Sequence, residues 1–144
     1  MGCAALLTAC QQAAPAPLTA GPEHNAGDVA FVEALIPHHR AGIALAEEVA
    51  RQPGHQVLAE AVITTERDEI TRMTGWLKIW GVTAAPAPTI ALPEGDPVKA
   101  LAAHQEEAIT LAQTEQSQGS NQAALDFARQ IIESRTAEAS QLGQ

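Results

Sequence analysis

Two halves of the chain repeat one pattern of apolar residues, histidine and glutamate. Residues 35–46 align with residues 101–112, and residues 58–73 align with residues 127–142. The alignment matches polar residues at three equivalent positions: His38 with His104, His39 with Gln105, and Glu69 with Glu138. We expect each half to form the same unit, with these side chains on its inner face. Two such units packed about a pseudo-twofold axis would form one domain.

The composition of both halves favours helix. Alanine, leucine, glutamate and glutamine dominate the long segments, and few segments show the alternation that is typical of strands. The apolar periodicity predicts four helices, over residues 28–51, 56–80, 98–116 and 122–142. Asp28 is the predicted N-cap of the first helix. We therefore predict an all-α four-helix bundle over residues 28–144, made of hairpin 28–81, a proline-containing linker over residues 82–97, and hairpin 98–144.

The first 27 residues are predicted to lie outside this bundle. Residues 7–10, Leu-Thr-Ala-Cys, resemble the lipobox of bacterial lipoproteins, and an alanine- and proline-rich tether follows them. This pattern predicts a signal sequence and a lipid anchor on Cys10, which would place the protein in the periplasm or at the cell surface. Without the lipid the protein would be secreted. The alternative is a disordered tail that happens to contain a cysteine, because no lysine or arginine precedes the apolar run.

The charge narrows the choice of partners. The chain has 17 Asp and Glu against 8 Lys and Arg, a formal net charge of -9. An acidic surface disfavours nucleic acid and anionic lipid headgroups and favours cations. Cys3 and Cys10 both precede the predicted bundle, so disulfides do not hold it together. A homo-oligomer or a protein partner in the cell envelope is left open.

His38 and His39 are the first candidate ligands for a metal ion. Both fall on the apolar side of the first predicted helix, and Pro37 frees the carbonyl of Glu33 beside them. Glu69 lies at the centre of the apolar face of the second helix, where an unpaired carboxylate would be costly. The predicted ligand set is completed by Met73, His104 and Glu138.

Imidazole ligands suit copper, zinc, iron and nickel. Because an unperturbed imidazole titrates near pH 6.5, we expect metal affinity to fall below that pH. The alternative is a polar cluster without metal, in which His38 and His39 form hydrogen bonds to Glu69, Glu138 and the freed carbonyl of Glu33.

Several short motifs stand out along the chain: Asp28 with Phe31, then Ile36-Pro37-His38-His39, then Ala46, and then Glu69-Ile70-x-x-Met73-x-x-Trp76-Leu77. Together they resemble the motifs of domain-of-unknown-function family 305 (DUF 305). The resemblance is close over residues 28–81 and looser in the second half. Leu35 and Leu45 stand where family members commonly have methionine, so the chain departs from a thioether-rich Cu(I) site.

This resemblance implies a ferritin-like bundle, exported or lipid-anchored, with a role in metal handling or tolerance. Copper is the ion it favours, with zinc as the nearest competitor and iron less favoured. An enzyme is not expected, because the predicted helices contain no Glu-x-x-His and the chain has no phosphate-binding loop. A di-metal oxidase activity and a lipid-tethered interaction protein of the cell envelope are the remaining alternatives.

Overall fold

The computed structural model describes residues 20–144 and confirms the all-α bundle. Within that range the chain forms four helices and no strand: α1 (Ala26–Val49), α2 (Gln56–Ile79), α3 (Pro97–Gln118) and α4 (Gln122–Leu142). None of these four helices combines the length and the apolar character needed to cross a membrane. Cys10 and its predicted lipid anchor lie outside the described residues.

The helices pack as the two predicted hairpins. α1 packs against α2, α3 packs against α4, and the hairpins meet mainly where α1 contacts α3. The long connection from α2 to α3 runs beside α1. Ala84 and Pro88 of this connection line a cavity with Pro37, and Ala91 lines a second cavity with Ala41. This connection, called the crossover below, therefore follows α1. It reaches the start of α3 beside the central part of α1.

The start of α1 differs from the prediction. Asn25, not Asp28, is the N-cap, because its side chain accepts a hydrogen bond from the Asp28 backbone N–H at 3.0 Å. The Asp28 carboxylate accepts from the Asn25 N–H at 2.7 Å, which completes a capping box. It also accepts from the backbone N–H groups of Ser120 and Asn121, each at 3.0 Å. Asp28 therefore ties the start of α1 to the turn between α3 and α4.

Residues 20–27 belong to the folded part, which corrects the predicted boundary at residue 28. The indole Nε1 of Trp80 donates to the Gly21 carbonyl at 3.1 Å, and the Asn121 side-chain amide donates to the same carbonyl at 3.2 Å. The imidazole of His24 stacks on Trp80, with 4.9 Å between the ring centroids. His24, which falls within the 27 residues predicted to lie outside the bundle, is thus part of the packing at this end of the bundle.

The interior consists of two apolar clusters with a polar layer between them. One cluster contains Phe31, Trp76 and Phe127, and the other contains Leu45 and Leu101. Between the clusters, each helix contributes inward-facing polar side chains: His39 on α1, Glu66 and Glu69 on α2, Gln105 on α3, and Arg135 and Glu138 on α4. These six residues are the polar layer, and the repeat explains why all four helices supply it.

Glu115 and Asp28 form a buried acidic pair outside the polar layer, at the end of the bundle where α1 begins. Burial, together with the neighbouring Asp28 carboxylate, raises the pKa of Glu115 to about 8. Burial alone would raise the pKa of Asp28 as well, but its interaction with Glu115 and hydrogen bonds from the backbone of Asn25, Asn121 and Ser120 lower it. At neutral pH Glu115 is therefore protonated and Asp28 is ionised.

Replacing Glu115 with glutamine is expected to stabilise the protein increasingly as the pH rises. The folded chain keeps the Glu115 proton up to about pH 8, whereas the group has an ordinary pKa of 4.5 in the unfolded chain. As the pH rises from 4.5 to about 8, the contribution of Glu115 to the free energy of unfolding of the wild type therefore decreases. Above about pH 8 this contribution is constant. Thermal unfolding of both proteins between about pH 5 and pH 9 measures the effect. A difference in Tm that does not change with pH would refute the assignment.

Candidate metal centre

The polar layer contains one hydrogen-bonded side-chain pair in each hairpin. His39 Nε2 lies 2.7 Å from Glu69 Oε2, and Gln105 Nε2 donates to Glu138 Oε2 at 2.6 Å. These two pairs occupy equivalent positions of the internal repeat. Because a carboxylate accepts, His39 carries its hydrogen on Nε2 and its lone pair on Nδ1. That Nδ1 atom is buried without a hydrogen-bond partner.

Arg135, which the sequence interpretation missed, lies among the glutamates of this layer. Its side chain is 0% exposed, and its Nη2 donates to Glu69. Its Nη1 lies 3.5 Å from Glu138 Oε1, and its Nη2 lies 3.9 Å from Glu66 Oε1. The aligned halves match Arg135 with Glu66, so opposite charges at equivalent positions were the signal that could have found it.

Glu66 is the most strongly perturbed acid of the polar layer. Burial raises its pKa to about 8; Arg135 opposes this shift, and the charges of Glu69 and Glu138 add to it. Burial likewise raises the pKa of Glu138. Both carboxyl oxygens of Glu66 are buried without a hydrogen-bond partner. The layer thus contains several buried polar atoms without a hydrogen-bond partner.

His38 and His104 form a separate cluster between α1 and α3, together with Glu107. The two imidazoles stack with centroids 3.6 Å apart and planes 13° from parallel. His38 Nε2 lies 3.6 Å from Glu107 Oε2. The three residues can each offer a ligand atom such that all three atoms lie within 4.8 Å of one another. These three residues are called the outer site below.

The imidazoles of the outer site have free lone pairs. His104 Nε2 lies 3.0 Å from the His38 carbonyl oxygen, and since a carbonyl only accepts, His104 carries its hydrogen on Nε2 and its lone pair on Nδ1. An N–H to a carbonyl is the usual way in which metal-binding histidines are oriented. Both ring nitrogens of His38 are buried without a hydrogen-bond partner. The donor set therefore fits a transition-metal ion.

Burial keeps these histidines neutral. It lowers the pKa of His38 to about 3, and the positive charge of Arg135 adds to this shift. It lowers the pKa of His104 to about 4, against the hydrogen bond to His38. If these nitrogens bind a metal ion, we therefore expect protons to compete with it only below the pH of 6.5 at which an unperturbed imidazole titrates.

The six predicted ligands lie in three places. His38 and His104 are in the outer site, whereas His39, Glu69 and Glu138 are in the polar layer. Met73 is fully buried in the apolar cluster with Trp76 and Phe127.

Glu107 was missed, although it follows His104 by three residues and so shares its helix face. It also shares with His104 a cavity of about 340 Å³, which the crossover residues Ala91 and Pro93 line on another side. Which of the six predicted residues bind a metal stays a prediction.

Fold and site together define an all-helical bundle protein with two histidine-containing polar clusters. Residues 28–96 match the family model described as Domain of unknown function (DUF305), and this part of the chain is a DUF305 domain. The predicted family is confirmed. The match covers α1, α2 and the crossover and ends before α3. The comparison with curated proteins gives no match.

Solved structures with the same fold include those of CopM. The chain is 24% identical to CopM in the Cu(I)-bound form, with a TM-score of 0.70, and 22% identical to the Cu(II)-bound form, with a TM-score of 0.71. It is 26% identical to CopM in the Ag-bound form obtained by soaking, with a TM-score of 0.69. Each alignment covers 81% of this chain and 93% of CopM. These similarities show that the two proteins share a fold.

Proposed function

We propose that this protein binds a transition-metal ion at the outer site and serves in metal handling. His38 and His104 are the principal ligands, and Glu107 is the third. The observation that carries the proposal is that their three ligand atoms lie within 4.8 Å of one another, with both ring nitrogens of His38 buried without a hydrogen-bond partner. A buried acceptor without a partner is costly, so an ion that it could ligate would stabilise this arrangement.

Copper is the ion that we propose. Neutral imidazole is a good ligand for copper, and copper stands above zinc in general affinity. The similarity to copper-bound and silver-bound CopM supports this choice. Met73 lies in the apolar cluster and is not one of the three residues of the outer site. We therefore propose a site based on imidazole, for which zinc is the nearest competitor.

Ion binding at the outer site requires one imidazole to turn. The lone pairs of an imidazole lie in the plane of its ring, and the rings of His38 and His104 are nearly parallel, 3.6 Å apart. Their lone pairs do not converge on one point in this arrangement. The cavity beside His104 and Glu107 provides space for such a rotation.

We also propose that the protein works outside the cytoplasm, anchored through a lipid on Cys10. The motivation is the lipobox-like run over residues 7–10. Mass spectrometry of the protein from its native cells should show a diacylglyceryl group on Cys10. Unmodified protein that begins at Met1 and is recovered from the cytoplasm would contradict this proposal.

Replacing His38 and His104 together with alanine is expected to abolish metal binding. Each replacement removes one imidazole, and no imidazole is left in the outer site of the double variant. Titration of the demetallated proteins with Cu(I), Cu(II) and Zn(II) measures the loss. The control is His55→Ala, because His55 precedes α2 and its side chain forms no capping hydrogen bond. Equal binding by wild type and the double variant would end the proposal and favour an interaction protein with a hydrogen-bonded core.

A further inference from the structure

We propose that Arg135 determines where the metal binds, because its guanidinium occupies the position that a cation would take in the polar layer. The layer is thereby closed to metal, and the ion is directed to the outer site. The second statement rests on the proposed function, whereas the first concerns the polar layer alone.

The polar layer has the donor set of a metal centre. His39 comes from α1 and three glutamates come from α2 and α4, an arrangement by which four-helix bundles commonly build metal sites. Glu69 orients His39 at 2.7 Å and leaves its Nδ1 lone pair available, as carboxylates do beside metal-bound histidines. His39 Nδ1 and both oxygens of Glu66 are buried without a hydrogen-bond partner. These buried atoms are the ligands that the layer could offer to an ion in place of the guanidinium.

The space between these side chains is nevertheless occupied by the guanidinium of Arg135, which is part of the chain and keeps its positive charge. Arg135 is 0% exposed, donates to Glu69, and lies within 4.0 Å of both Glu66 and Glu138. A guanidinium stays protonated in proteins, so it excludes a metal ion by charge as well as by volume. Glu66 is the equivalent of Arg135 in the other half of the repeat. With glutamate at both positions, the layer would contain four glutamates and no internal cation.

Arg135→Gln is expected to create a new metal site in the polar layer. The test uses the full chain with His38→Ala and His104→Ala, so that the outer site is absent, and Co(II) as the probe. We expect no Co(II) binding by this background and one equivalent after Arg135→Gln, with visible absorption bands. Adding His39→Ala should remove the bands. The matched control is Arg129→Gln, which removes an exposed arginine of α4 that pairs with Asp126.

Each result decides the question. Co(II) binding by the background that depends on His39 while Arg135 is present would overturn the proposal, and so would an Arg135→Gln variant that binds no Co(II). If that variant does not fold alone, recovery of its helical circular dichroism on adding Co(II) supports the proposal, and failure to recover overturns it. Because the outer site is absent throughout, the outcome is independent of whether the wild type binds metal there.

Discussion

Replacing Arg135 with leucine is expected to lower the free energy of unfolding by about 3–5 kcal/mol, the usual cost of removing one partner from a buried ion pair. Arg135 is completely buried and donates to Glu69. Without it, the acids of the polar layer must either stay ionised in an apolar interior or take up protons. We expect chemical denaturation at neutral pH to show this loss.

The control for this prediction is Arg129→Leu on the same helix. Arg129 forms an exposed ion pair with Asp126, and such pairs contribute about 0–1 kcal/mol. Equal small losses in the two variants would mean that Arg135 does not neutralise the polar layer. Adding Glu66→Leu to Arg135→Leu should recover part of the lost stability, because it removes two buried carboxyl oxygens that have no hydrogen-bond partner.

Replacing Gly42 with alanine is expected to lower the free energy of unfolding by up to about 2 kcal/mol, which is the cost of overpacking less the gain in helix propensity. A Cβ atom at position 42 would overlap the carboxyl group of Glu66 and come within 2.8 Å of His104 Nε2. Alanine favours a helix over glycine by about 1 kcal/mol, so the expected loss is what remains after that gain. Because His104 must move, the variant should also bind metal more weakly.

Gly75 provides a matched control within α2. A Cβ atom there meets nothing within 4 Å. Gly75→Ala should therefore stabilise the protein through helix propensity alone and leave metal affinity unchanged. Thermal unfolding and metal titration of both variants measure the two effects. If both substitutions stabilised equally, the close approach of α1 to Glu66 and His104 would be refuted.

Much of the fold could be predicted from the repeat. Equivalent apolar positions require equivalent helices, and the match of His39 with Gln105 and Glu69 with Glu138 correctly indicated two equivalent hairpins. The start of α1 was placed three residues late because Asp28 is itself a good N-cap residue. Only the fold shows that Asp28 also holds the turn after α3, since those partners are about 90 residues away in sequence.

The candidate site was harder to predict, because periodicity states which face of a helix is buried but not which side chains meet. His38 and His39 both lie toward the interior, yet His38 faces α3 and His39 pairs with Glu69 of α2. Arginine is rarely buried, so the helical pattern gave no reason to place Arg135 in the interior. The approach of α1 to α3 depends on Gly42, whose role becomes visible only when the two helices are placed together.

The central claim, that metal is bound by His38 and His104 and not by the polar layer, is tested most directly by NMR of the imidazole nitrogens. ¹⁵N-labelled protein is compared before and after one equivalent of Cu(I) or Zn(II), both of which are diamagnetic. We predict that ring nitrogens of His38 and His104 shift on binding while those of His39 do not. A shift of the His39 nitrogens, with His38 and His104 unchanged, would contradict the claim.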